Sequence, residues 1–154
     1  MAKIKIFKVG RFKTNCYLVS NDEENRFFLV DPGGKIKNFD ISSYKIDYIL
    51  LTHGHFDHIS NVAEYKELTG AKVVISKAEE DFINDGSLNL SSRFMKAHKL
   101  KSFEADTLCS EGDEIPFAGG TIKVLNTPGH TKGGVCYIFE NNIFSGDTLF
   151  KGTY

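Results

Sequence analysis

The sequence has 154 residues, 41% of them hydrophobic and 12% aromatic, which is enough for one substantial core and too little for two ordinary domains. Nineteen basic and twenty acidic residues leave a net charge of −1, which gives no electrostatic basis for binding nucleic acid or an anionic membrane. We therefore expect a single domain over residues 1–154 that acts on a small molecule.

The N-terminal segment and the cysteines indicate the compartment. Residues 3–9 alternate basic and apolar side chains, the pattern of a strand rather than of a signal peptide. Cys16, Cys109 and Cys136 are widely spaced and form no C-x-x-C pair, which favours a reducing environment. We expect a cytoplasmic protein that binds no membrane.

Strand-like runs recur along the chain between Gly and Asn turns, and hairpin turns are predicted at Asn21-Asp22 and Glu140-Asn141-Asn142. The predicted strands are Ile4–Val9, Cys16–Ser20, Arg26–Val30, Tyr48–Leu51, Lys72–Ser76, Thr121–Leu125, Val135–Phe139 and Ile143–Ser145.

Helical patterns are fewer. One helix is predicted over Asn61–Thr69, where Asn61 and Glu64 have the spacing of a capping box and Gly70 follows. A second is predicted over Ala78–Asn84. This order of elements predicts an α+β fold in which a mixed sheet carries helices on its outer face.

The polar stretch Asp85–Lys101 is interpreted as a surface excursion, with a flap near the functional site as the alternative. Arg93 within it, and Lys132, are interpreted as solvated surface charges, with binding of a substrate carboxylate as the alternative for each.

The segment Tyr48–His58 is the most informative part of the chain. A buried apolar strand runs into Thr-His-Gly-His-Phe-Asp-His, which holds three imidazoles and a carboxylate within six positions. These are ligands that zinc, iron and manganese accept without thiolates. Gly54 is expected to let the backbone turn between two ligands. Two further candidates, His130 and Asp147, each lie just past a predicted strand.

The ordered motifs Thr-His-x-His-x-Asp-His, Pro-Gly-His and Gly-Asp resemble those of the metallo-β-lactamase fold hydrolases, particularly short proteins similar to glyoxalase II. The resemblance runs from residues 15–17 and 31–33 to residues 146–150. It implies a four-layer αβ/βα sandwich whose site lies at one edge between two sheets.

The resemblance also implies roles for the site residues. His53, His55 and His130 would bind a first divalent metal ion, Asp57 and His58 a second, and Asp147 would bridge the two. Asp31 would be a structural aspartate behind the site. Zinc is the expected metal, with iron or manganese as alternatives.

A metal-bridging hydroxide would then attack the carbonyl group of the substrate, and Asp57, the expected catalytic residue, would orient it. Because no separate general acid is evident, a thiolate leaving group is favoured, and hydrolysis of a hydroxyacylglutathione-like thioester is the expected reaction. Apart from the alternative given for Arg93 and Lys132, the sequence indicates no residue that binds the substrate.

Several alternatives stay open. A mononuclear iron persulfide dioxygenase shares the early motif, and a lactonase or a β-lactam hydrolase shares the fold. His55 argues against a flavodiiron-type module, which carries Glu at that position. A non-enzymatic metal-binding remnant of the fold is a further alternative.

The resembled family completes its second metal site with a histidine from beyond the Gly-Asp motif, and Thr148–Tyr154 contains none. We therefore expect a chain truncated at its C-terminal part, with a weaker second site and feeble activity, and a homodimer that could cover the open sheet edge. His98 precedes His130, the wrong order for the missing ligand, and is interpreted as a surface residue.

Overall fold

The computed structural model describes residues 1–21, 25–95 and 100–148. Within these ranges the chain forms two β-sheets and three short α-helices. The strands are β1 Ala2–Val9, β2 Thr14–Asn21, β3 Phe27–Val30, β4 Ile46–Leu50, β5 Lys72–Ser76, β6 Thr107–Cys109, β7 Glu114–Phe117, β8 Gly120–Asn126, β9 Val135–Phe139 and β10 Asn142–Phe144. The α-helices are α1 Phe56–Ile59, α2 Val62–Thr69 and α3 Ser91–Phe94, and 3₁₀ helices span Ile41–Ser43 and Lys77–Ile83.

The two sheets differ in their connections. The first has the order β1-β2-β3-β4-β5-β6; β1, β2 and β3 pair antiparallel, whereas β3, β4, β5 and β6 pair parallel. The second is the antiparallel meander β10-β9-β8-β7. This two-sheet, mixed α/β architecture confirms the predicted fold class.

The core has two layers, one on each face of the first sheet. Phe28 and Leu50 face the second sheet, where they meet Tyr137, while Ile49 and Val73 face the helices. These side chains are fully buried, so apolar burial supplies the main force that holds the layers together. The Tyr137 hydroxyl also donates a 2.7 Å hydrogen bond to the carbonyl oxygen of the residue that follows β4, which ties the end of that strand to the second sheet.

The helix over Val62–Thr69 confirms the prediction, and Gly70 ends it in a left-handed conformation with φ 70°. The expected capping box is wrong, because the Asn61 side chain donates a 3.0 Å hydrogen bond to Glu64 Oε2 and makes no bond to the backbone of the helix.

The predicted helix over Ala78–Asn84 is a 3₁₀ helix over Lys77–Ile83. Its buried Glu79 and Phe82 are three residues apart and therefore share a face at three residues per turn. Two strands, β6 and β7, escaped prediction: β6 has only three residues, and Pro116 interrupts the pattern of β7. Proline is tolerated there because β7 is an edge strand.

The interpretation of Asp85–Lys101 as a surface excursion fails at Asn89, which is buried and whose carbonyl oxygen accepts a 2.8 Å hydrogen bond from Phe56 at the start of α1. Phe94 of α3 stacks on Phe56. The prediction for His98 lies outside the described residues. No helix of the described ranges has the length and hydrophobicity of a membrane span.

Candidate metal centre

The turn after β4 carries four of the six predicted ligands, His53, His55, Asp57 and His58. His53 and His58 are buried, whereas His55 and Asp57 are partly exposed. The turn leads directly into α1, so Asp57 and His58 are adjacent helical residues. A buried parallel strand thus delivers the ligands at its carboxyl end, where the sheet edge fixes their positions.

Gly54 is needed for a reason other than the predicted one. Its φ is not positive, so the turn does not depend on glycine flexibility. A β-carbon at this position would overlap the side chain of Phe82, which packs directly on the backbone. The Gly54 N–H also donates a 3.3 Å hydrogen bond to Oε1 of the buried Glu79. The 3₁₀ helix therefore holds the turn between two ligands from behind.

The second sheet brings the other two ligands to the same place. His130 lies in the loop between β8 and β9, and Asp147 follows β10. His130 Nε2 is 3.1 Å from His55 Nδ1 and 3.0 Å from Asp147 Oδ2. The site therefore forms only when the two sheets pack together.

All six predicted ligands meet in two groups whose potential donor atoms lie within 4.8 Å of one another. The group of His53, His55, His130 and Asp147 is called the three-histidine group below, and Asp57, His58 and Asp147 form the Asp57–His58 group. Asp147 belongs to both groups. Its Oδ1 lies 3.2 Å from His58 Nε2, and its Oδ2 faces the histidines of the three-histidine group. This arrangement has the form of a two-metal centre with a shared carboxylate.

His53 shows that the site fits a cation. Thr52 Oγ1 donates its proton to Asp31 Oδ2 at 2.6 Å, so its 3.2 Å contact with His53 Nδ1 requires the imidazole to be the donor. Nε2 of a neutral His53 then carries a lone pair. That atom is buried, has no hydrogen-bond partner among the described residues, and lies 3.5 Å from Asp147 Oδ2.

A lone pair that faces a carboxylate oxygen is unfavourable unless a positive charge lies between them. Protonation does not supply that charge, because burial and the neighbouring His58 lower the pKa of His53 to about 2. Burial and His130 likewise lower the pKa of His55. Neutral imidazoles beside a carboxylate are the donor set that a divalent metal ion requires.

His58 has the opposite electrostatics. Its Nδ1 donates a 2.9 Å hydrogen bond to Asp31 Oδ2, and its Nε2 faces Asp147. Burial alone would lower the pKa of His58, but the two carboxylates outweigh it and raise the pKa to about 10. The reciprocal interaction offsets the burial of Asp147 and lowers the pKa of its carboxyl group to about 2.

Asp31 occupies the supporting position that the resemblance implied. Its Oδ1 accepts a 2.8 Å hydrogen bond from the Thr52 N–H, and its Oδ2 accepts from both Thr52 Oγ1 and His58 Nδ1. Asp31 is 1% exposed and has a positive φ of 53°. One buried carboxylate thus orients a histidine of each group, directly for His58 and through Thr52 for His53.

Some residues of the site were not predicted. Thr52 stands inside the recognised motif, but its bridging role depends on Asp31, twenty-one residues earlier in the chain. Glu79 gave no local signal, because a glutamate in a helical pattern is ordinarily solvated. Lys8, Lys13 and Tyr17 line a cavity beside Asp57 and Asp147, and only the tertiary structure shows this.

The two charged residues that the sequence analysis named, Arg93 and Lys132, lie over the rings of Phe94 and Phe82, respectively.

Residues 9–153 match the model of the metallo-beta-lactamase superfamily. A hydroxyacylglutathione hydrolase of Haemophilus influenzae is 31% identical over 97% of this chain and 73% of its own length.

Two solved structures extend the comparison. The B3 metallo-beta-lactamase BLEG-1 has a TM-score of 0.84 and 31% identity over 96% of this chain and 73% of its own. The protein TTHA1623, crystallised in a di-iron-bound form, has a TM-score of 0.78 and 28% identity over 97% of this chain and 74% of its own.

Proposed function

The chain belongs to the metallo-beta-lactamase superfamily of metallo-hydrolases, and on this premise we propose that it hydrolyses a thioester of the hydroxyacylglutathione type. The observation that carries the proposal is the pair of ligand groups that share Asp147. Similarity to the Haemophilus influenzae hydrolase supports the choice of substrate class.

The residues present fit two divalent metal ions, held by the three-histidine group and by the Asp57–His58 group. When bound, such ions act as Lewis acids that activate water and polarise a carbonyl group. The chain itself supplies neutral imidazole donors at His53 and His55, and Asp31 fixes the ring of His58 through its Nδ1–H. We expect Asp57, which accepts a 3.3 Å hydrogen bond from Thr14 Oγ1, to orient the attacking water.

The leaving group decides between substrate classes. Hydrolysis of a thioester adds water across the C–S bond and gives a carboxylic acid and a thiol. A thiol has a reference pKa near ~8.5, so it departs as a thiolate without a proton donor. An amine leaves only after protonation. Thioester hydrolysis therefore needs no proton donor in this site, whereas release of an amine would need one.

A second candidate, β-lactam hydrolysis, is favoured by the similarity to BLEG-1. One set of assays distinguishes the two functions. The protein is freed of metal and reloaded with zinc, iron or manganese, and is then offered lactoylglutathione, a lactone and a β-lactam, with oxygen uptake on glutathione persulfide as the test for dioxygenase activity.

We expect metal-dependent turnover of the thioester, lost in Asp147→Asn and retained in the remote control Asp106→Asn. Faster turnover of the β-lactam, or thioester turnover that survives both metal removal and Asp147→Asn, would contradict the proposal.

A further inference from the structure

A cavity of about 410 Å³ adjoins the Asp57–His58 group. One side is formed by the β1–β2 hairpin and the other by the predicted ligands. Its lining includes Lys8, Lys13, Tyr17, Asp57, His58 and Asp147. A molecule that occupies this cavity touches both the hairpin and the candidate metal centre.

The sheet register explains why Lys8 reaches the cavity. Lys8 pairs with Asn15, and Tyr17 lies two residues further along β2. Side chains two residues apart share a face of a sheet, as do directly paired residues, so Lys8, Asn15 and Tyr17 form one surface. Lys5 is three residues away on the same strand and therefore points to the opposite face, where it lines a different cavity.

The hairpin is held firmly against the site. Its Gly10 packs on Gly34 so closely that a β-carbon on Gly34 would lie 2.5 Å from the Gly10 nitrogen. A β-carbon on the neighbouring Gly33 would overlap the backbone oxygen of Asp57. Since Thr14 Oγ1 also donates to the Asp57 carboxylate, the position of the hairpin is fixed relative to that residue. Lys8, near the end of β1, and Lys13, in the turn of the hairpin, are thus built into the wall of the site.

The charges in the cavity suggest what it accepts. Neither Lys8 nor Lys13 has a carboxylate within ion-pair distance in the described parts of the chain. Asp57 and Asp147 face the same space and would repel an anion by themselves. Once they serve as ligands of divalent cations, the repulsion is neutralised and the two ammonium groups dominate.

We propose that Lys8 and Lys13 form a subsite that binds a carboxylate of the substrate, which restricts the proposed thioester hydrolysis to anionic thioesters. The carboxylate belongs either to the acyl group or to the thiol, because both are tethered to the same reacting bond. Phe12 lines the same cavity, is 47% exposed, and packs edge-on against Phe56 and Phe94. It supplies an apolar surface beside the charged one.

The test uses three thioesters and the zinc-loaded protein. Butyryl-N-acetylcysteamine is neutral, succinyl-N-acetylcysteamine carries a carboxylate on the acyl side, and butyrylglutathione carries carboxylates on the thiol side. The variants are Lys8→Gln, Lys13→Gln and their combination, with Lys5→Gln as the matched control on the other face of β1.

We expect kcat/KM for at least one carboxylate substrate to fall about tenfold in the double variant, mainly through KM, and we expect this difference from wild type to shrink as salt is raised. The neutral thioester and Lys5→Gln should be unaffected. The substrate that responds identifies the side that carries the carboxylate. An equal loss on all three thioesters, or no loss on either anionic one, would overturn the subsite.

A binding measurement separates this inference from the proposed function. If none of the thioesters is hydrolysed, the proposed function fails, and titration calorimetry with S-methylglutathione and with succinate tests the subsite alone. Weaker binding of either compound by the double variant than by Lys5→Gln upholds the subsite. Equal dissociation constants refute it.

Discussion

The three-histidine group and the Asp57–His58 group share a carboxylate but differ in what a cation would have to displace. In the first, His53 is neutral and its Nε2 has no hydrogen-bond partner among the described residues. In the second, the carboxylates of Asp31 and Asp147 raise the pKa of His58 to about 10, so its imidazole is protonated at neutral pH. A cation therefore meets an unpartnered nitrogen at His53 in the first group, whereas it must expel a proton from His58 in the second.

The groups also differ in their donors. The described residues give four to the three-histidine group and three to the Asp57–His58 group. The first is assembled from loops of both sheets, whereas His58 and Asp57 come from one short helix backed by Asp31. The difference teaches that ligands close together in sequence need not bind equally well, because supporting residues set their protonation state. We expect the three-histidine group to bind metal more tightly.

Asp147→Asn should have the largest effect because it removes the carboxylate that the two groups share. We expect metal affinity to fall more than about hundredfold at both groups and thioester hydrolysis to be lost. Competition with a fluorescent chelator measures both affinities. A loss confined to one group would show that Asp147 serves only that group.

Asp31→Asn should act mainly on the Asp57–His58 group. The amide oxygen can still accept from the Thr52 N–H, but the NH₂ can accept from neither Thr52 Oγ1 nor His58 Nδ1. His58, which Asp31 contacts directly, therefore loses the bond that fixes its tautomer and orientation. Removal of such a supporting residue costs about ten- to hundredfold in metal affinity. The same chelator assay applies, with Asp106→Asn as the control. Equal losses at both groups would mean that Asp31 supports His53, through Thr52, as strongly as it supports His58.

The pH dependence of metal binding should differ between the groups. Because His58 has a folded pKa of about 10, affinity of the Asp57–His58 group should rise with pH by up to about tenfold per unit between about 6.5 and 10. His53, with a pKa of about 2, adds no such dependence near neutrality. Chelator titrations at pH 6.5, 7.5 and 8.5 test this. Parallel curves for the two groups would contradict it.

The raised pKa of His58 also predicts how the stability of the metal-free protein changes with pH. A folded pKa above the unfolded value near ~6.5 means that protonated His58 stabilises the fold. This contribution is complete below about pH 6.5 and is lost as the pH rises toward 10. The free energy of unfolding should therefore change less with pH in His58→Gln than in the unaltered protein. Urea denaturation at several pH values measures this. An unchanged slope in that variant would assign the effect to other groups.

Glu79→Leu should have the smallest effect. The leucine is an apolar side chain at this buried position and leaves Phe82 against Gly54, but it removes the acceptor of the Gly54 N–H. We expect metal affinity of the three-histidine group to fall about threefold, with the Asp57–His58 group unchanged and with rescue by Glu79→Gln, which retains an acceptor. Failure of the glutamine variant to restore affinity would show that the charge, and not the hydrogen bond, is required.

The sequence predicted those parts of the molecule whose signals are local. The ligands stand in short motifs at strand ends, and the helix that ends at Gly70 has its own stop signal. Residues that act across the fold were missed: Thr52 depends on Asp31, Glu79 on the turn that it supports, and Lys8 on the register of the hairpin. The helix over Lys77–Ile83 was predicted but its 3₁₀ type was not, and the edge strand β7 was missed because Pro116 interrupts its pattern.

The most direct test of the difference between the two groups is a crystal structure of the protein with one equivalent of zinc per chain. Anomalous scattering at the zinc edge shows where the ion lies. We predict a dominant peak between His53, His55 and His130, with a second peak near Asp57 and His58 only when zinc is in excess. A first peak at the Asp57–His58 group, or two equal peaks at one equivalent, would contradict it.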